Sequence, residues 1–80
     1  MHEKALFKNM FRYLGSEESR ASRKIRKLCV SVSEFGGIKT EHFLEHYRNF
    51  SAGTRWEDVE IELKMMPYGP EFEITRIDFE

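Results

Sequence analysis

The sequence predicts a single α/β domain over residues 1–80, of the α+β two-layer kind, with two helices on one face of a small three-stranded mixed sheet in the order α-β-α-β-β. Three observations carry this. Apolar residues recur at helical spacing in Lys4 to Leu14 and Ile38 to Phe50. They alternate at strand spacing in Arg23 to Phe35, Val59 to Met65 and Glu71 to Glu80. Gly-Gly and Pro-x-Gly punctuation separates these stretches.

In the first helix Phe7, Met10, Phe11 and Leu14 fall at i, i+3, i+4 and i+7, one amphipathic face, and Gly15 stands where a C-terminal cap is expected. Ser16 to Ser22 is polar and reads as a solvated connection. The first strand sets Leu28, Val30 and Val32 against Cys29, Ser31 and Ser33, and Gly36-Gly37 breaks it. In the second helix Phe43, Leu44, Tyr47 and Phe50 cluster on one side, and Lys39 or Thr40 is expected to cap its start. Ser51 to Thr54 is turn-like. Val59, Ile61, Leu63 and Met65 then alternate with Glu60, Glu62 and Lys64 as a second strand. In the third strand Phe72 and Ile74 have the opposite parity to Ile77 and Phe79, which a bulge near Thr75 and Arg76 would reconcile. Met66-Pro67-Tyr68-Gly69 has the chemistry of a type I turn and predicts an antiparallel hairpin of the last two strands.

Eighty residues bury a modest core and leave no room for a deep cleft between two lobes, which disfavours a large enzyme. A 40% hydrophobic share is ordinary for a folded chain. The single cysteine, Cys29, excludes an internal disulfide framework and a Cys-x-x-Cys zinc site, so no structural zinc is expected. No apolar run reaches the length of a membrane span and the charged start does not resemble a secretory signal, so the expected compartment is the cytoplasm, with no membrane partner. The net charge of −1 hides a polarity: residues 1–27 hold eight Lys/Arg against three Asp/Glu, and residues 57–80 hold two against eight. Arg20, Arg23, Lys24, Arg26 and Lys27 could meet nucleic acid, but no aromatic interleaves the run to stack a base. Neutralisation between neighbouring strands is the preferred reading.

The candidate metal site is Met1-His2-Glu3. The Met1 α-amine, the peptide nitrogen of His2 and the His2 imidazole Nδ1 can close fused chelate rings on one ion, a nitrogen-rich plane suited to Ni(II) or Cu(II). Removal of Met1 is expected to stall before the bulky His2. Taken alone, the tripeptide reads first as an ordinary frayed terminus. His42-Phe43-Leu44-Glu45-His46 spells the His-x-x-Glu-His of inverzincin proteases, but a third protein ligand and a cleft have no obvious source; the pair reads as a solvated helix flank or an adventitious surface metal site. Cys29, in mid-strand with no histidine close in sequence, reads as a structural thiol. Gly36-Gly37 lacks the spacing and the Lys-Ser/Thr of a phosphate loop, so no nucleotide hydrolysis is expected.

Taken in order, Met1-His2-Glu3, Val30-Ser31-Val32-Ser33-Glu34-Phe35-Gly36-Gly37-Ile38, Phe50-Ser51-Ala52-Gly53-Thr54 and Val59-Glu60-Ile61-Glu62 resemble the HypA/HybF family of nickel metallochaperones for hydrogenase and urease maturation. The resemblance spans nearly the whole chain. It implies nickel held around His2 with backbone nitrogens and Glu3 nearby, then passed toward the metalloenzyme with a GTPase partner. Glu3 would bond the His2 imidazole or only add favourable charge at the helix start. Family members insert a zinc-binding loop with two Cys-x-x-Cys pairs between their last two strands; here Pro67-Tyr68-Gly69-Pro70 stands in its place. Ser33 replaces a common Gly, and Thr40 a common Pro.

The expected function is therefore a nickel-binding accessory protein, not an enzyme, in the maturation of hydrogenase or urease, with Ni(II) at Met1, His2 and Glu3. The alternative is a nickel-independent interaction module docking on a maturation GTPase or a metalloenzyme subunit. A homodimer through an exposed edge strand is also compatible with the sequence.

Overall fold

The computed structural model describes residues 3–80, Glu3 by its backbone. Its elements are α1 (Glu3–Ala21), β1 (Ile25–Ser33), α2 (Thr40–Ser51), β2 (Glu60–Met66) and β3 (Phe72–Phe79), the predicted order. The sheet order is β2-β1-β3, with β1 parallel to β2 and antiparallel to β3. Leu28, Val30 and Val32 of β1 are fully buried, joining Phe7, Met10 and Leu14 of α1 and Phe43 and Tyr47 of α2 in one core. Two helices thus cover one face of a mixed sheet. The other face carries Cys29, Ser31, Glu62, Lys64, Glu73 and Thr75 around an open depression.

Two local expectations are corrected. The first helix does not end at Gly15, and Ser16 to Ser22 is not a solvated connection: α1 runs on to Ala21, and Ser22 leaves the helix with φ of 55°. The inner stripe continues past Leu14 through Glu18, which is only 6% exposed. Its carboxylate accepts the Ile25 backbone N–H at 2.7 Å and lies 2.9 Å from Arg55 Nε, so a charge stands where an apolar residue would have marked the helix. Gly15 is an interior residue beneath the Trp56 ring.

The second correction concerns the last two strands, which do not form a hairpin. β1 lies between them because its alternating apolar residues gain most from a neighbour on each side. The segment 67–71 crosses the end of β1, bonded on both sides: Glu34 N donates to the Met66 carbonyl at 2.7 Å and Ser33 N to the Glu71 carbonyl at 3.2 Å. The bulge falls as expected. Cys29 faces Arg76 and Val30 faces Ile74, which leaves Thr75 as the extra residue and brings Ile74 and Ile77 to the core side. A second irregularity at Arg26 does the same for Ile25 and Leu28.

At the start of α2, Lys39 takes the cap position and its carbonyl accepts the Phe43 N–H at 2.9 Å, but no side chain caps the helix. Trp56 is a packing residue, stacked on Phe11 at 5.3 Å with 6° between the planes. Among the described residues no helix is long and apolar enough to cross a membrane.

Candidate metal site

Met1 and His2 lie outside the described residues, as does the Glu3 side chain; Glu3 itself opens α1. What the fold determines is where the helix carrying them is held. Phe7, one turn further along, is 1% exposed and packs on Phe43 at 5.3 Å and on Phe50 at 5.0 Å, the latter nearly parallel. Phe43 in turn meets Phe72 of β3 at 5.5 Å. Such ring pairs add about 0.5–1.5 kcal/mol each beyond their buried area. The opening turns of α1 are thereby pinned to the inner face of α2.

Beside that contact lies a cavity of about 330 Å³. Leu6 and Phe7 of α1 form one wall, His42 and His46 of α2 another, and the Gly36-Gly37 loop with Glu71 closes it. The histidines precede Phe43 and Tyr47 by one residue each, so they stand about 100° round the helix from the buried side chains. His42 is exposed and His46 half-buried, with ring centroids 6.3 Å apart and planes 19° from parallel. The loop approaches closely: a Cβ on Gly36 would sit 2.7 Å from Glu71 Cγ and 3.2 Å from its Cα, so only glycine fits there. Neutral imidazoles are general ligands for Ni(II), Cu(II) and Zn(II). Among the described residues, however, no group of three or more His, Cys, Asp and Glu is arranged to hold an ion.

Comparison with family models, with curated proteins and with solved structures found no match in any of the three.

On the open face of the sheet Lys27 Nζ lies 3.1 Å from Glu62 and 3.4 Å from Glu60 of β2, a cross-strand neutralisation of the basic segment by the acidic one. Hydrogen bonding and charge from Glu62 push the Lys27 ammonium up, and Lys27 holds the Glu62 carboxyl below its ordinary value. Arg20 pairs with Glu17 at 3.2 Å, and Arg23 Nε donates to the Glu80 carbonyl at 2.6 Å. Cys29 Sγ lies 3.7 Å from Glu62. Desolvation and that carboxylate push the thiol up, away from the reactive thiolate, as a structural cysteine requires.

The sequence singled out the histidine pair, and the amino-terminal tripeptide that it also singled out lies outside the described residues apart from the Glu3 backbone. The sequence did not show that the pair shares a cavity with the first turns of α1, because that wall comes from a helix more than thirty residues away in the chain.

Proposed function

We propose that this protein is a nickel-binding accessory protein for the maturation of hydrogenase or urease, holding Ni(II) at Met1, His2 and Glu3 and enlisting a maturation GTPase and the metalloenzyme subunit as partners. The observation that carries the reading is the Met1-His2-Glu3 start, in sequence order with the other segments that resemble the HypA/HybF family. The amine, the His2 peptide nitrogen and the imidazole are three nitrogen donors that close two fused rings. Binding requires these nitrogens to lose protons, so affinity falls in mild acid. An α1 anchored by Phe7 supports the reading, since it offers a chelating terminus on a rigid support.

The test is a nickel titration at neutral pH of the untagged protein beside His2→Ala and a variant with residues added before Met1. One tight equivalent with a square-planar absorption spectrum, lost in both variants, is the expected result. Binding indifferent to both changes would defeat it.

A second reading, a docking module that does not carry nickel, is favoured by Phe35 and Tyr68, which are 85% and 82% exposed. Exposed aromatics of this kind suit a protein contact. Loss of partner binding in Phe35→Ser or Tyr68→Ser, with no nickel bound by the wild type, would establish it instead.

A further inference from the structure

We infer that the outer edge of β2 docks a second copy of this chain, the two β2 strands pairing antiparallel about a two-fold axis at Leu63 to make one continuous sheet. Among the described residues β2 has β1 as its one neighbour, so its other side is an open edge. The Met66 carbonyl turns inward, where it accepts the Glu34 N–H at 2.7 Å. Successive strand residues turn their backbone groups to alternate sides. Glu60, Glu62 and Lys64 therefore also bond toward β1, and Ile61, Leu63 and Met65 present N–H and C=O to the outer edge. The other edge strand, β3, is bulged at Thr75 and flanked by Tyr13 and Arg20 of α1, whereas β2 keeps an unbroken register along its length. A regular edge with alternating apolar residues is a template for another strand.

The side chains single out one two-fold register and one occupant. Centred on Leu63, it sets Ile61 opposite the partner's Met65 and Glu62 opposite the partner's Lys64, each twice by symmetry. The outward residues then exchange both backbone bonds, and Glu62 and Lys64 fall at the closer spacing of about 4.5 Å between Cα atoms. A centre at Glu62 or Lys64 would put like charges face to face, one at Ile61 would oppose Glu60 and Glu62, and one at Met65 would carry Pro67 into the ladder. The charges that guard an edge against indiscriminate pairing thus admit the same strand, inverted. Glu62 already lies 3.1 Å from Lys27, whereas Lys64 makes no ion pair among the described residues, so the partner's Glu62 completes a run of alternating charge across the junction. On the helix face, His42 and His46 turn toward α1, and Leu44 stands on the opposite flank of α2 with 39% exposure. Met65, 47% exposed, borders a depression with Ile38 and Lys39 at the start of that helix. An axis perpendicular to the sheet brings this flank toward its own copy, adding apolar burial to the strand pairing.

Self-association is measured by sedimentation velocity across a micromolar concentration series, with a chelator present so that no metal bridges two chains. The samples are the wild type, Glu62→Lys, Lys64→Glu and an equimolar mixture of the two variants. Both positions are exposed, and circular dichroism checks the fold. In either variant alone the reversed residue meets its own sign across the junction, whereas in the mixture every facing pair has opposite signs. The expected result is a wild-type dimer, self-association weakened at least about tenfold in each variant, and a dimer restored in the mixture. The amides of Ile61, Leu63 and Met65 should exchange more slowly as the wild-type concentration rises. A wild type that stays monomeric throughout the series would overturn the inference and leave the edge to a strand of another protein. A dimer indifferent to both reversals, or one in which those three amides exchange at the same rate at every concentration, would overturn it as well.

Discussion

The two halves of α1 are held to the molecule by opposite means. The amino-terminal half is fixed by rings, with Phe7 against Phe43 and Phe50, and Phe11 against Tyr47 and Trp56. The carboxy-terminal half has the fully buried Leu14 at its start, and beyond it the inner face is held by one buried carboxylate, Glu18, which accepts the first N–H of β1 and faces Arg55. Apolar packing tolerates small displacements and gains from every contact, whereas a buried charge is worth holding only while its partners are in place. The half that supports the candidate metal site is thus the one with distributed support.

Substitutions on either side of this divide should differ in size. Phe7→Ala removes a fully buried ring from the centre of the aromatic cluster and should cost about 3–5 kcal/mol, read by chemical denaturation. Glu18→Ala leaves the buried Ile25 N–H without its acceptor and should cost about 2–3 kcal/mol; Glu18→Gln, which can still accept, should cost less. The Arg55 partner is itself exposed and contributes little of that difference. Equal losses for Phe7→Ala and Glu18→Ala would erase the distinction between the two halves.

Tyr47 combines both modes, a buried ring whose hydroxyl donates to the Trp56 carbonyl at 2.7 Å. Burial pushes its pKa up to about 12 from the ordinary 10. A folded-state pKa above the unfolded one favours the fold below pH 10 and loses that advantage as pH rises toward 12. Stability should accordingly decline by about 2 kcal/mol across that window. Tyr47→Phe should flatten the decline while costing about 1 kcal/mol at neutral pH. The smallest effect has the opposite sign. At Gly15 an added Cβ would meet the Trp56 ring at 3.8 Å, an ordinary contact, so Gly15→Ala should stabilise α1 by about 0.5–1 kcal/mol, seen as a raised melting temperature.

The parts of the fold legible in the sequence were those written in apolar periodicity. The alternation of Leu28, Val30 and Val32 and the parity change that places the bulge at Thr75 could be read locally, as could Phe43 and Tyr47 on the inner face of α2, whereas Leu44 and Phe50, expected beside them, are exposed. The second half of α1 could not, because Glu18 occupies an inner-face position with a residue type that signals solvent. The pairing of β2 and β3 with β1 was hidden for another reason: the Pro67 to Gly69 turn chemistry is satisfied equally by a strap over β1 and by a hairpin, and only the demand of β1 for two neighbours separates them. Of the candidate residues, the spacing of His42 and His46 along α2 was legible, whereas Met1 and His2 lie outside the described residues. That the pair shares a cavity with Leu6 and Phe7 depends on the packing of Phe7, a contact between residues far apart in the chain.

The strap over the end of β1 has a consequence for how the chain could grow. Its ends belong to strands already fixed on either side of β1, so neither ladder depends on what the intervening residues are. Lengthening a flexible connection costs only about 0.6 kcal/mol per doubling. A segment eight times as long as residues 67–71 would therefore burden the fold by about 2 kcal/mol. The end of the sheet is thus the place where added length weighs least on the two-helix scaffold.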